Sequence, residues 1–281
     1  MTVSFGFGLE LNIDRVAFNV FGMPIYWYGI IIALGFMLGL TLASVASKKL
    51  GENTDTVLDI ALICAPCAVV LARLYYVIFK WSYYKDNLLE IIDLRQGGIA
   101  IYGAIIGGIL GAYIYSKIKK KSVLKIFDIG SVGLITGQMI GRWGNFFNQE
   151  AFGTNTFLPW AMKSEATKSY LETLKLNGVN VNPEMGVHPT FLYESLWSLL
   201  TLICLFVILY KYYRFNGQVF FAYMFLYGLG RFFIEGLRTD SLMIGSIRVS
   251  QLLGILFFVI FLVLYIISYK KSMTGDKIYQ K

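Results

Sequence analysis

The chain has 281 residues, of which 57% are hydrophobic and only 15% charged, and its mean hydropathy is +0.62. That much apolar surface excludes a soluble globular domain of this size, and recurrent runs of about 20 apolar residues mark a polytopic helical membrane protein. The formal net charge of +8 does not indicate a nucleic-acid partner, because the basic residues sit in short loops between apolar runs, where they orient a protein in the bilayer.

Residues 1–24 are mixed in character and read as a short interfacial segment, a turn or hairpin, with no basic n-region and so no expected cleaved signal peptide. A first span is predicted over 25–47, closed by Lys48 and Lys49, and a second over 56–79 with Arg73 inside it. A polar loop with Lys80, Glu90, Asp93 and Arg95 leads to a third span over 99–116. There Gly103, Gly107 and Gly111 stand four apart, a spacing that lets another helix backbone approach closely. A lysine-rich loop, 117–125, precedes a fourth span over 124–147. Residues 148–188 are polar and predict a small head with a helix near 163–176. Three more spans follow over 189–210, 217–236 and 249–269.

The expected fold class is therefore all-α. It is a polytopic membrane bundle of about seven transmembrane helices, one domain over residues 1–281, with an extracytoplasmic head inserted at 148–188 between the fourth and fifth spans. Lys48, Lys49, the lysines of 117–125, Lys211, Arg214 and the tail lysines 270, 271, 277 and 281 fall on one side of such a bundle. The positive-inside rule then puts the C-terminus in the cytoplasm and the N-terminus outside. Cys64 and Cys67 have redox spacing, but within an apolar span they read as small packing residues, as does Cys204.

The stretch Gly141-Arg142-Trp143-Gly144-Asn145-Phe146-Phe147-Asn148-Gln149-Glu150-Ala151-Phe152-Gly153 is unusually polar for the end of a membrane span. If the helix continues, Arg142, Asn145 and Gln149 share a face within about 60° of arc and Glu150 lies about 80° from Arg142. Two readings are open: an interfacial helix end with snorkelling side chains, or a polar site that receives an anionic ligand. Tyr227, Arg231, Glu235 and Arg238 form a second stripe, about 80° wide. Arg231 and Glu235 either neutralise each other within the membrane or belong to a ligand site. The surplus of Arg142, Arg231 and Arg238 over Glu150 and Glu235 favours the site, since a guanidinium fork suits a phosphate. No cluster of metal-ligand spacing is present, and no metal or cofactor is expected. A lipid transporter or scramblase with an arginine-lined path is the alternative class, although no inverted repeat relates the two halves.

Five stretches together carry a resemblance. They are Trp27-Tyr28-Gly29, Gly97-Gly98 with Tyr102-Gly103, the 141–153 signature, His188-Pro189-Thr190 with Tyr193-Glu194, and Gly230-Arg231-Phe232-x-x-Glu235-x-x-Arg238. The chain resembles the bacterial prolipoprotein diacylglyceryl transferases over nearly its whole length. The resemblance implies a multi-pass enzyme of the bacterial cytoplasmic membrane with an outward-facing site. Its partners would be phosphatidylglycerol, other membrane lipids and a prolipoprotein signal peptide with its lipobox cysteine. The diacylglyceryl group would pass to that thiol, forming a thioether and releasing glycerol phosphate. Arg142 then resembles the phosphatidylglycerol-binding arginine and Arg231 a second essential arginine. Asn145, Glu150, Glu235 and Arg238 complete the pocket, with Tyr227 in the same stripe, and Tyr28 lines the lipid cavity. Tyr102 stands where many members have histidine, and a phenol of pKa near 10 is a poor resting base. His188, the only histidine, is the other candidate base, and beside Pro189 a structural role is equally open to it.

Overall fold

The computed structural model of the chain describes residues 1–93, 97–239, 241–245 and 247–274. Arg95, Lys277 and Lys281, used above in the loop and tail, lie outside the described residues. Among the described residues, six helices are long and apolar enough to cross a membrane: α1 (Trp27–Lys49), α2 (Asp55–Phe79), α4 (Ile101–Lys119), α5 (Val123–Asn148), α7 (Thr190–Val207, prolonged by a π-helical turn to Tyr212) and α9 (Val249–Met273). Another long helix, α8 (Gln218–Glu235), has 18 residues and carries Arg231 and Glu235 among its apolar ones. Shorter helices are α3 (Trp81–Tyr84), a 3-10 turn (Leu88–Ile92) and α6 (Glu165–Leu176). In α9 the only buried residue is Gly254, although the helix is among the most apolar in the chain. Apolar side chains left uncovered along 25 residues suit lipid rather than water.

The chain divides into two compact units, one of 1–42 with 131–281 and one of 43–130. In the second, α2 and α4 lie together at the glycines singled out above. A Cβ at Gly103 would collide with the Leu71 carbonyl, one at Gly107 with the Cys67 carbonyl, and one at Gly111 would sit 2.8 Å from the Cα of Cys64. Gly107→Leu is therefore expected to destabilise the protein by about 1–3 kcal/mol, the usual range for overpacking, whereas Gly108→Leu, where a Cβ meets nothing within 4 Å, should be neutral. Thermal unfolding in detergent measures the difference. Cys64, Cys67 and Cys204 are free thiols, and the Cys64 Sγ donates to the Gly108 carbonyl at 3.4 Å, which is the packing role expected.

Arg73 is buried without a carboxylate partner among the described residues. Its guanidinium instead donates to five backbone carbonyls, those of Glu90, Ile91, Asp93, Gly97 and Gly98. Gly97 and Gly98 have φ of +81° and +76°, left-handed values that favour glycine, and a side chain at Gly98 would displace the guanidinium. Arg73 thus folds the loop that enters α4.

At the other end of this unit, Glu52 accepts ion pairs from Lys121 at 2.5 Å and Lys125 at 3.2 Å. Burial pushes the Glu52 carboxyl up, but the hydrogen bonds and charge of the two lysines outweigh it and hold the pKa below the usual 4.5. A depressed carboxylate contributes stability that is complete above its unfolded pKa and is lost as pH falls through the folded one. Wild type should therefore lose stability below about pH 4.5 more steeply than Glu52→Gln, as denaturant titrations on either side of that pH would register.

In the first unit α1 meets α5 closely, a Cβ at Gly39 falling 2.9 Å from the Gly133 carbonyl, and α8 meets α9 at Gly228 and Gly254. The head contains strands that an all-α reading does not anticipate. β1 (Thr2–Phe5) pairs antiparallel with β2 (Glu10–Asn12) on one side and with β5 (Met162–Ser164) on the other, in register Val3 to Ser164. A second hairpin, β3 (Val16–Val20) and β4 (Met23–Tyr26), runs into α1, and β6 (Met243–Ile244) pairs with β7 (Ile247–Arg248) before α9. The segment 148–188, expected as a head, is thus joined by residues 1–13. Val3, Ile13, Phe152, Met162, Leu171 and Val187 form one buried cluster with Phe146 of α5 and Phe191 of α7. The predicted head helix is α6, opened by a capping box between Ser164 and Thr167.

Candidate active site

α5, α7 and α8 bring the charged residues of the first unit together. Glu194, one turn into α7, is only 7% exposed at its side chain and lies between three arginines. Its Oε2 meets Arg142 Nε of α5 at 2.8 Å, while its Oε1 meets Arg231 Nη1 of α8 at 3.0 Å and Arg238 Nη1 at 3.6 Å. Arg231 also pairs with Glu235 at 2.7 Å, the i,i+4 contact that the stripe predicts. Arg142, Arg231, Glu194 and Tyr227 line one cavity of about 20 Å³, space for about one water molecule.

The surrounding packing explains why these groups converge. A Cβ at Gly230 would strike the indole of Trp197, which donates from Nε1 to the Leu226 carbonyl at 2.9 Å, so α7 and α8 are locked face to face beside Arg231. Trp143 Nε1 donates to Ser195 Oγ at 3.2 Å, and Ser195 Oγ to the Met139 carbonyl at 2.9 Å, which joins α5 to α7 beside Arg142. Arg238 lies three residues beyond the end of α8. A bridge between Gly153 and Arg238, with the Thr154 N–H donating to the Leu237 carbonyl at 2.7 Å, holds it at the cluster. Gly153 has no room for a side chain, since a Cβ would lie 2.7 Å from that of His188. Arg248 Nη1 donates to the Glu235 and Gly236 carbonyls, satisfying the C-terminal end of α8.

The helical extrapolation beyond Asn148 does not hold. Gln149 and Ala151 have φ of +53° and +56°, so the chain leaves the helix before Glu150. Glu150 and Tyr28 accordingly line a different space, an open groove of about 910 Å³ bordered by α1, β4 and the end of α5. Asn145 is half-buried one turn after Arg142, and its carbonyl accepts from the Glu150 N–H at 3.1 Å.

The profile of the prolipoprotein diacylglyceryl transferase family matches residues 15–267. The chain belongs to this family. Similarity extends to proteins named phosphatidylglycerol–prolipoprotein diacylglyceryl transferase from several bacteria. The Finegoldia magna protein is 47% identical over 92% of this chain and 97% of its own length. The Bacillus cytotoxicus protein is 45% identical over 95% and 96%, and the Clostridioides difficile protein 46% identical over 86% and 90%. As a member of the family the chain is a transferase and a multi-pass membrane protein.

The two candidate bases of this transferase lie in different units. His188 Nδ1 is 3.2 Å from the Tyr193 hydroxyl, which in turn accepts from Trp160 Nε1 at 2.6 Å. Burial pushes the imidazole pKa down, so the ring is neutral at pH 7. Its main chain meanwhile accepts from Gly153 and donates to Thr154, a structural role. Tyr102, on α4, is 44% exposed, with its ring centroid 6.3 Å from that of Tyr75. The hub carboxylate, Glu194, belongs to the His188–Glu194 stretch quoted above but receives no role from the sequence. Its signal was available: an ionisable residue inside an apolar span is by default a partner in a site.

Proposed function

We propose that this chain transfers the diacylglyceryl group of phosphatidylglycerol to the lipobox cysteine thiol of a prolipoprotein, in the bacterial cytoplasmic membrane. Its N-terminus is outside, its C-terminus cytoplasmic, and α8 is a seventh crossing. One observation carries the reading: Arg142 and Arg231, from separate helices, line the same cavity and share one carboxylate. Two guanidiniums that converge on a carboxylate can converge on a phosphate of similar bite, with Glu194 holding the place until the headgroup arrives.

The chemistry follows from charge. The thiol sulfur forms a bond to the glycerol carbon, and the bond from that carbon to the phosphate oxygen breaks. The phosphodiester begins with one negative charge, and the departing glycerol phosphate takes a second as the thiol proton leaves. Arg142, Arg231 and Arg238 face that growing charge in a desolvated site, where fixed cations act most strongly on the transition state. Glu235 orients Arg231, while Tyr227 and Asn145 line the approach. Tyr102 hydrogen-bonds the headgroup or thiol, and His188 is the alternative acceptor for the proton.

Purified protein, phosphatidylglycerol vesicles and a lipobox peptide should give a thioether product in the presence of EDTA. Flux of lipid across the vesicle without a covalent product would overturn the reading in favour of a scramblase. Tyr102→Phe is expected to lower kcat/KM about tenfold, the value of one hydrogen bond to the reacting groups; an unchanged rate would remove the phenol from the mechanism.

A further inference from the structure

A guanidinium has five N–H groups, and in Arg73 of α2, a residue only 7% exposed, each of them meets a main-chain carbonyl. Nε donates to Ile91 at 2.8 Å, Nη1 to Gly97 and Gly98 at 3.0 and 2.8 Å, and Nη2 to Glu90 and to Asp93, the latter at 2.8 Å. The ring centroid of Tyr84 lies 5.1 Å from Cζ and covers one face. No N–H is left over for a phosphate, so the charge of Arg73 serves the chain itself rather than a ligand.

The same contacts place the start of α4. Its N-cap residue, Ala100, has no side-chain cap, so the first turn is located by what precedes it. The Ala100 N–H donates at 3.1 Å to the carbonyl of Ala72, next to Arg73 on α2, and Nη1 holds the carbonyls of Gly97 and Gly98 just before it. A Cβ at Gly98 would strike Nη1, and its φ of +76° is left-handed, so the turn closes around the guanidinium only as glycine. On the other side of Tyr102, Gly103 packs on the Leu71 carbonyl. The main chain at Tyr102 is therefore held to α2 from both sides, and its ring stands 44% exposed beside Tyr75.

We infer that Arg73 is a positioning residue of the reaction, which holds the Gly97–Gly98 turn closed and so keeps the Tyr102 phenol in place for its bond to substrate. This rests on the role given to Tyr102 above and adds the group that sets it. Misplacing a reacting group by about 1 Å can cost about 10² in rate, so the turn need not come apart for activity to fall.

A double-mutant cycle on thioether formation tests it. Lysine has three N–H groups, so Arg73→Lys leaves at least two of the five carbonyls without a side-chain donor. Alone it should lower kcat/KM by about three- to tenfold, with kcat and both KM values moving in the same proportions as in Tyr102→Phe. In the Tyr102→Phe background it should cost nothing further, because the group it positions is gone. Gly98→Ala, which presses on the guanidinium from the turn, should behave alike in both backgrounds, and it decides the matter if Arg73→Lys does not fold. A merely structural role would multiply the losses instead of absorbing one into the other. Multiplied losses, or an unchanged rate in Arg73→Lys, would overturn the assignment while leaving Tyr102 its part. An unchanged rate in Tyr102→Phe would remove the phenol and this inference together, and absence of any thioether with wild type would overturn the transferase reading itself.

Discussion

Arg142→Ala is expected to lower kcat/KM for thioether formation by about 10³, near the upper end of what a single preorganised donor contributes to an anionic transition state. The geometry sets the expectation. Glu194 is the only carboxylate on Arg142 among the described residues, held through Nε, and Arg142 lines the cavity shared with Arg231. Arg142→Lys keeps the charge but loses the fork, and should fall between the two, since a lysine cannot hold both the carboxylate and a phosphate oxygen in one plane. Product formation followed by mass spectrometry, at saturating peptide and varied phosphatidylglycerol, reads both variants. A loss of less than tenfold in Arg142→Ala would show that the cavity is not where the phosphate departs.

Glu194→Ala should be the most destabilising single change at the site. It removes the one carboxylate that Arg142, Arg231 and Arg238 share, at a buried position, and stranding buried charges in this way costs about 3–5 kcal/mol. Glu194→Gln keeps the shape and should cost less while leaving the same excess of positive charge. That excess gives the prediction its second half. If Glu194 occupies the position of the lipid phosphate, phosphatidylglycerol should raise the melting temperature of Glu194→Gln more than that of wild type, because binding stabilises the folded state by mass action. A neutral lipid such as diacylglycerol should not. Equal stabilisation of both proteins would mean that carboxylate and phosphate do not compete for one place.

Much of this was legible in the sequence, for reasons that differ between elements. The long helices were readable because lipid imposes length and apolarity on them. Gly103, Gly107 and Gly111 were readable because close helix contact needs small residues four apart, and α2 lies against them. The Arg231–Glu235 pair followed from helical spacing alone. What failed was periodicity carried past its domain: Gln149 and Glu150 were placed by extending a helix that ends at Asn148. Glu194 was passed over because its partners lie 52 residues before it in Arg142 and 37 after it in Arg231, separations no local pattern encodes. The strands of the head were hidden for a similar reason, since β1 finds β5 only through pairing across some 160 residues.

That pairing orders events during synthesis. Val3 meets Ser164 in the finished sheet, and α1, α2, α4 and α5 all lie between them in the chain. At about 5–20 residues per second the ribosome needs on the order of 10–30 s to deliver the partner strand. Through that interval the opening strand, paired with β2 on one side only, waits with its other edge unfilled while the intervening membrane segments insert. The head is therefore a late-closing clasp, and variants at Val3 or Met162 should betray themselves first as slow maturation and protease sensitivity in the cell rather than as altered chemistry.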